Sequence, residues 1–153
     1  MALYLVQHGK SLPKDQDPDQ NLSEEGISVV EAIAERAAEW GITVSSIRHS
    51  GKRRARETAE LIGLRLNPEN GLQEQAGLNP LDDVSAVARD LTSDDNLMLV
   101  GHLPFMEKLT AYLIIGTTEP LVFKFQNGGI VCLDQDPETK KWFITGALQP
   151  TVG

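Results

Sequence analysis

The chain has 153 residues, 41% of them hydrophobic. That is enough for one domain with a sizeable core, residues 1–153, and too few for two comfortable ones. Its formal charge of −8 and pI near 4.8 exclude a general binder of nucleic acid or anionic membrane, because most of the surface would repel a phosphate-rich partner.

The apolar run Ala2-Leu3-Tyr4-Leu5-Val6 is too short to cross a bilayer and lacks the basic flank of a signal peptide, so a cytoplasmic protein is expected. Residues 3–6 read as a strand buried on both faces and halted at Gln7-His8-Gly9. A polar loop over 10–21 follows. Ser23 has the character of an N-cap, with Leu22 and Ile27 placed to form a hydrophobic staple. Ile27, Val30, Ala34, Ala37 and Ala38 then recur at helical spacing until Gly41. A second strand over 44–49 leads through Ser50-Gly51 into a helix with the narrow stripe Ala55, Thr58, Ala59 and Ile62.

Pro68, Gly71, Gly77 and Pro80 mark 66–81 as a long connection with room for a short strand, before a helix over 82–91 for which Asp82 is the natural cap. Residues 97–100 predict another buried strand, ending in Gly101-His102 and followed by a helix opened by Pro104 and closed by Gly116. Further on, 121–125 and 130–133 flank Gln126-Asn127-Gly128-Gly129, a hairpin signal, and 142–145 supply a third strand after Asp136-Pro137. Cys132, the single cysteine, lies in one of these apolar runs and reads as a small buried hydrophobe in a reducing interior. Alternating strands and helices predict an α/β three-layer sandwich: a mainly parallel central sheet, helices on both faces and an antiparallel C-terminal edge.

In such a sheet, ligands bind beyond the carboxyl ends of the strands. His8, His49 and His102 all follow predicted strands. A lone histidine there more often just binds loop backbone, and His49 is read that way; three together point to chemistry. Arg48, Lys52, Arg53, Arg54 and Arg56 crowd one short stretch of a chain with only 14 basic residues. Arg53 and Arg56 read as a solvated helix face. Arg54 falls in a first helical turn just past a strand end, where free backbone amides and the helix dipole also favour anions, and its planar guanidinium can grip two phosphate oxygens. The simplest chemistry uniting these groups is phosphoryl transfer to His8, with Arg54 and His102 stabilising charge on the equatorial oxygens and water then hydrolysing the phosphohistidine. No metal or other cofactor is needed. A zinc triad of His8, His49 and His102 is the metal alternative. No Walker loop or Gly-x-Gly-x-x-Gly fingerprint is present.

The order of motifs resembles the histidine phosphatase superfamily, with its phosphoglycerate mutase-like fold, and within it the small SixA-like phosphohistidine phosphatases. Gln7-His8-Gly9 matches the family's Arg-His-Gly, and Leu22-Ser23-Glu24-Glu25-Gly26 its Leu-Thr-x-x-Gly. Ser50 to Ala59 matches Ser-Pro-x-x-Arg-Ala-x-x-Thr-Ala, and His102 its second catalytic histidine. The resemblance implies catalytic His8, Arg54 and His102, with Gln7, Gly9, Lys10 and Lys52 around the phosphate. The departure is Gln7, where the family usually has a phosphate-binding arginine; Lys10 or Lys52 is the candidate for the missing charge. Glu74, Asp82 and Asp83 are candidates for a general acid. Lack of a clear acid and the short length favour protein phosphohistidine as substrate; the alternatives are a small phosphorylated metabolite and a phosphate-binding pseudoenzyme weakened by Gln7.

Overall fold

The structure is a computed structural model and describes residues 1–151. Leu3 and Leu5 point to one side of the first strand and Tyr4 and Val6 to the other, and all four are buried. Burial on both faces places β1 (Leu3–Gln7) inside a sheet rather than at its edge. The other strands are β2 (Ser46–His49), β3 (Leu72–Glu74), β4 (Leu97–Gly101), β5 (Ile130–Gln135) and β6 (Trp142–Leu148), in the spatial order β3-β2-β4-β1-β5-β6. The first four in that order are parallel. β5 runs antiparallel to β1, and β6 antiparallel to β5.

Helices α1 (Glu24–Glu39) and α2 (Arg53–Leu66) cover the Tyr4 and Val6 face through Val30, Ile33, Ala55 and Ile62. Helices α3 (Val84–Ala88) and α4 (Phe105–Ile115) cover the Leu3 and Leu5 face through Val84, Phe105 and Leu109. The result is the three-layer α/β sandwich that the alternation of elements predicts. Replacing fully buried Leu5 by Ala would cost about 2–5 kcal/mol, the usual range for a core leucine.

Local signals account for the helix ends. The Ser23 hydroxyl accepts from the Gly26 amide at 3.0 Å, and Glu24 and Glu25 complement the dipole in the first turn of α1. Gly26 is required by packing: a Cβ there would lie 2.1 Å from the Lys10 carbonyl oxygen. In α2 the stripe Ala55, Thr58 and Ala59 is fully buried. Its small side chains let the helix approach the strand ends closely.

Three expectations need correction. The third helix is shorter than 82–91, and its cap is Asp83, whose Oδ1 accepts from the Ser85 amide at 3.0 Å. Asp82 instead closes the preceding turn, accepting from the Asn79 amide at 2.9 Å. Residues 121–125 form no strand, and Gln126-Asn127-Gly128-Gly129 no hairpin, because both edges of β5 are taken by β1 and β6. Phe123 and Phe125 pack edge to face with ring centroids 4.9 Å apart instead. The hairpin joins β5 to β6, where Asp136 Oδ1 accepts from the Glu138 and Thr139 amides at 2.9 and 2.8 Å.

Candidate active site

The parallel strands β1, β4 and β2 end side by side, so the residues that follow them meet at one end of the sheet. His8 follows β1 and His102 follows β4, and their rings lie 5.0 Å apart between centroids. Backbone hydrogen bonds hold the His8 position on two sides. Its amide donates to the Gly101 carbonyl at 3.0 Å, and the Gly128 amide donates to the carbonyls of Gln7 at 2.9 Å and His8 at 3.2 Å. The glycine-rich segment read as a hairpin therefore buttresses the end of β1.

The His8 ring is oriented by its own loop. Nδ1 lies 2.7 Å from the Gly9 carbonyl oxygen and donates to it, because a carbonyl only accepts, so the proton is on Nδ1 and the Nε2 lone pair is free. Gly9 is itself held: its amide donates to Thr58 Oγ1 at 2.9 Å, and that hydroxyl donates to the Arg54 carbonyl at 2.8 Å. One side chain thus ties the loop after β1 to the first turn of α2. Gly9 also has no room for a side chain, since a Cβ would lie 2.6 Å from Val30 Cγ2.

Burial is the main reason that both histidines are hard to protonate. The His8 pKa falls from 6.5 to about 4, lowered first by burial and further by the Arg54 charge. His102 falls to about 3, again first through burial, then through His8, Arg54 and Lys52. Both rings are neutral at pH 7. Arg54 also feels burial, which lowers its proton affinity, but a guanidinium keeps its charge. Lys52 is the N-cap of α2 and makes no side-chain capping bond. The amides at that helix start complement anions.

His8 and His102 face each other, the Ser50 turn before Lys52 reaches His102, and Thr58 ties Gly9 to the Arg54 backbone. Gln7 is 4% exposed, and its Oε1 is buried without a hydrogen-bond partner among the described residues. Lys10 pairs with Glu25 on the surface at 2.8 Å. Of the three carboxylates, Asp82 and Asp83 serve local turns, and the Glu74 carboxylate lies against Gly51, where a Cβ would meet it at 2.6 to 2.8 Å. His49 Nδ1 accepts from the Gly51 amide at 3.1 Å, shaping the turn before α2. Among the described residues no group of three or more His, Cys, Asp and Glu is placed to hold a metal ion.

Thr58 and Ser50 are the residues whose roles sequence reasoning missed. Thr58 looked like part of a packing stripe, and its hydroxyl at helical spacing from Arg54 was the available signal. Ser50 Oγ lies 2.6 Å from His102 Nε2. Nothing local to Ser50 marks that contact, which joins two distant strand ends.

A neutral imidazole with a free Nε2, a second neutral histidine, the Arg54 charge and a helix start lie at the carboxyl end of a parallel sheet, an arrangement suited to an anion. Residues 3–80 match the family model described as histidine phosphatase superfamily (branch 1). The chain belongs to that superfamily, and it is a phosphatase. A protein histidine phosphatase SixA complexed with tungstate superposes with a TM-score of 0.83 at 24% identity, over 98% of this chain and 97% of that one. A protein from Agrobacterium tumefaciens assigned to the phosphohistidine phosphatase SixA gives 0.77 at 27% identity, covering 97% of each chain. An uncharacterized protein of Picosynechococcus sp. is 28% identical over 127 residues, 77% of this chain and 76% of the relative.

Proposed function

We propose that His8 is the nucleophile of a phosphatase acting in the cytoplasm on protein phosphohistidine. The observation that carries this reading is the 2.7 Å bond from His8 Nδ1 to the Gly9 carbonyl, which leaves Nε2 as a free base beside His102. Nε2 forms a bond to phosphorus as the bond to the leaving imidazole breaks, and the leaving nitrogen takes up a proton from solvent that the attacking water gives back in the second step. Water then attacks the phosphoryl group on His8, releasing phosphate and restoring the imidazole. Arg54 and His102 donate to the equatorial oxygens, and Lys52 adds the positive charge that Gln7 lacks. Lys10 is paired with Glu25 on the surface, which favours Lys52 over Lys10 for that charge.

Two features support a phosphoramidate substrate. An imidazole leaves more readily than an alkoxide and needs less help from an acid. Two of the three candidate acids, Asp82 and Asp83, are engaged in local turns. Glu74, beside Gly51, is the carboxylate through which a small phosphate monoester would be served.

The test compares wild type, His8→Ala and Glu74→Gln on a phosphohistidine peptide and an aryl phosphate. His8→Ala should abolish turnover of both, and acid-labile, base-stable phosphate should be trapped on the wild type and Glu74→Gln but not on His8→Ala. Equal turnover by His8→Ala sinks the nucleophile assignment. Glu74→Gln should leave the peptide reaction unchanged; a 100-fold loss there, about the low end of general-acid catalysis, would move the assignment to phosphate monoesters.

A further inference from the structure

Ser50, at the turn after β2, is 2.6 Å from His102 Nε2 and also receives the Lys52 amide at 3.3 Å. An amide N–H only donates, so Lys52 uses acceptor capacity on the hydroxyl oxygen and leaves the hydroxyl proton free. Among the described residues His102 Nε2 is the acceptor within reach of that proton. The other ring nitrogen, Nδ1, is buried and has no partner. His102 itself is 1% exposed, so water does not compensate an unpaired N–H there.

We propose that Ser50 is a positioning residue that sets the tautomer of His102: its hydroxyl donates to Nε2, forcing the proton onto Nδ1 and holding that N–H in reserve for a phosphoryl oxygen. The second tautomer, with the proton on Nε2, would make Ser50 an acceptor from two donors, use both its lone pairs and leave its hydroxyl proton to solvent alone, because Ser50 is only partly buried. The arrangement also resolves how a neutral ring can contribute to an anion site. A neutral imidazole has one N–H to give, and Ser50 ensures that it is not spent on the protein. The unpartnered Nδ1 is then a group kept waiting for ligand, at a cost in the free protein that binding removes. This assignment rests on the phosphatase reading for the role of the N–H, but the tautomer itself does not depend on turnover.

The test is long-range proton–nitrogen correlation of 15N-labelled protein at pH 7, with the His102 signals assigned by comparison with His102→Gln. Wild type should show a protonated Nδ1 and an unprotonated Nε2. Ser50→Ala should move the proton to Nε2 or mix the two forms, and Ser50→Thr, which keeps the hydroxyl, should retain the wild-type pattern. Turnover of an aryl phosphate should fall about 10-fold in kcat in Ser50→Ala, less than the ~10²-fold for losing a direct donor, and return in Ser50→Thr. A wild type protonated on Nε2, or a Ser50→Ala pattern identical to wild type, overturns the proposal. If Ser50→Ala unfolds, the wild-type and Ser50→Thr spectra still decide it. Loss of the His8 assignment with the tautomer intact would discard the phosphatase role and leave the positioning bond standing.

Discussion

At the scale of single residues, the site combines two histidines that refuse protons with a neutral side chain where positive charge would serve it. The folded-state pKa values of about 4 for His8 and about 3 for His102 lie below the 6.5 of an unfolded histidine. Between pH 6.5 and about 4 the unfolded chain therefore binds protons that the folded chain does not, so stability present above pH 6.5 is lost as the pH falls through that window. Denaturant midpoints measured from pH 7 to 4 should drop, and the drop should be shallower in His102→Gln. On the proposed role of His8 as nucleophile, the same depression keeps it unprotonated, so kcat/KM should hold its value well below pH 6.5 and fall only toward pH 4. An acidic limb centred at 6.5 would contradict it. Gln7 belongs to this scale too. With Lys52 supplying the charge that Gln7 lacks, Gln7→Arg should leave KM for an aryl phosphate within about 2-fold of wild type. Charge-assisted bonds are about twice as strong as neutral ones, so a fall in KM of about 10-fold would show that Lys52 does not fill the gap.

At the scale of elements, one side chain ties α2 to the end of β1. Thr58 accepts from the Gly9 amide and donates to the Arg54 carbonyl, linking the loop after His8 to the helix that carries Arg54. Thr58→Val keeps the shape and removes both bonds, leaving the Gly9 N–H buried without a partner. The expected cost is about 1–3 kcal/mol in equilibrium unfolding. Turnover should fall as well, because the Gly9 carbonyl orients the His8 ring; Thr58→Ser should recover both. A Thr58→Val protein with wild-type stability and rate would show that α2 is held by its apolar stripe alone.

At the scale of the whole molecule, a chain of net charge −8 concentrates positive charge at one end of its sheet. Anions should bind there despite the overall repulsion, and weaken as salt screens the local field. Inorganic phosphate at 100 times its Kd should stabilise the fold by about 2.7 kcal/mol, read as a rise in melting temperature. The rise should vanish in Arg54→Ala. We expect one cooperative unfolding transition, as for a single domain with cores on both faces of one sheet. Two separated transitions would overturn that.

Much of this was legible in the sequence because it is written in short-range patterns. Unbroken apolar runs mark β1 and β4, a period near 3.6 and a serine cap mark α1, and His8, His102 and Arg54 stand just past strand ends where a parallel sheet places its ligands. Legibility fails where the deciding competitor is far away in the chain. Residues 121–125 have the composition of a strand, but whether they pair depends on which edges of β5 remain open, and β1 and β6 had taken both. Asp82 reads as the cap until the Asn79 turn claims it, and Asp83 caps the helix instead. The sequence by itself determined the layer order, the strand-end positions of the site residues and the family. Tertiary structure alone decided that Thr58 holds Gly9, that Ser50 meets His102 and that Lys10 turns away to Glu25, because each is a contact between segments that only folding brings within hydrogen-bond range.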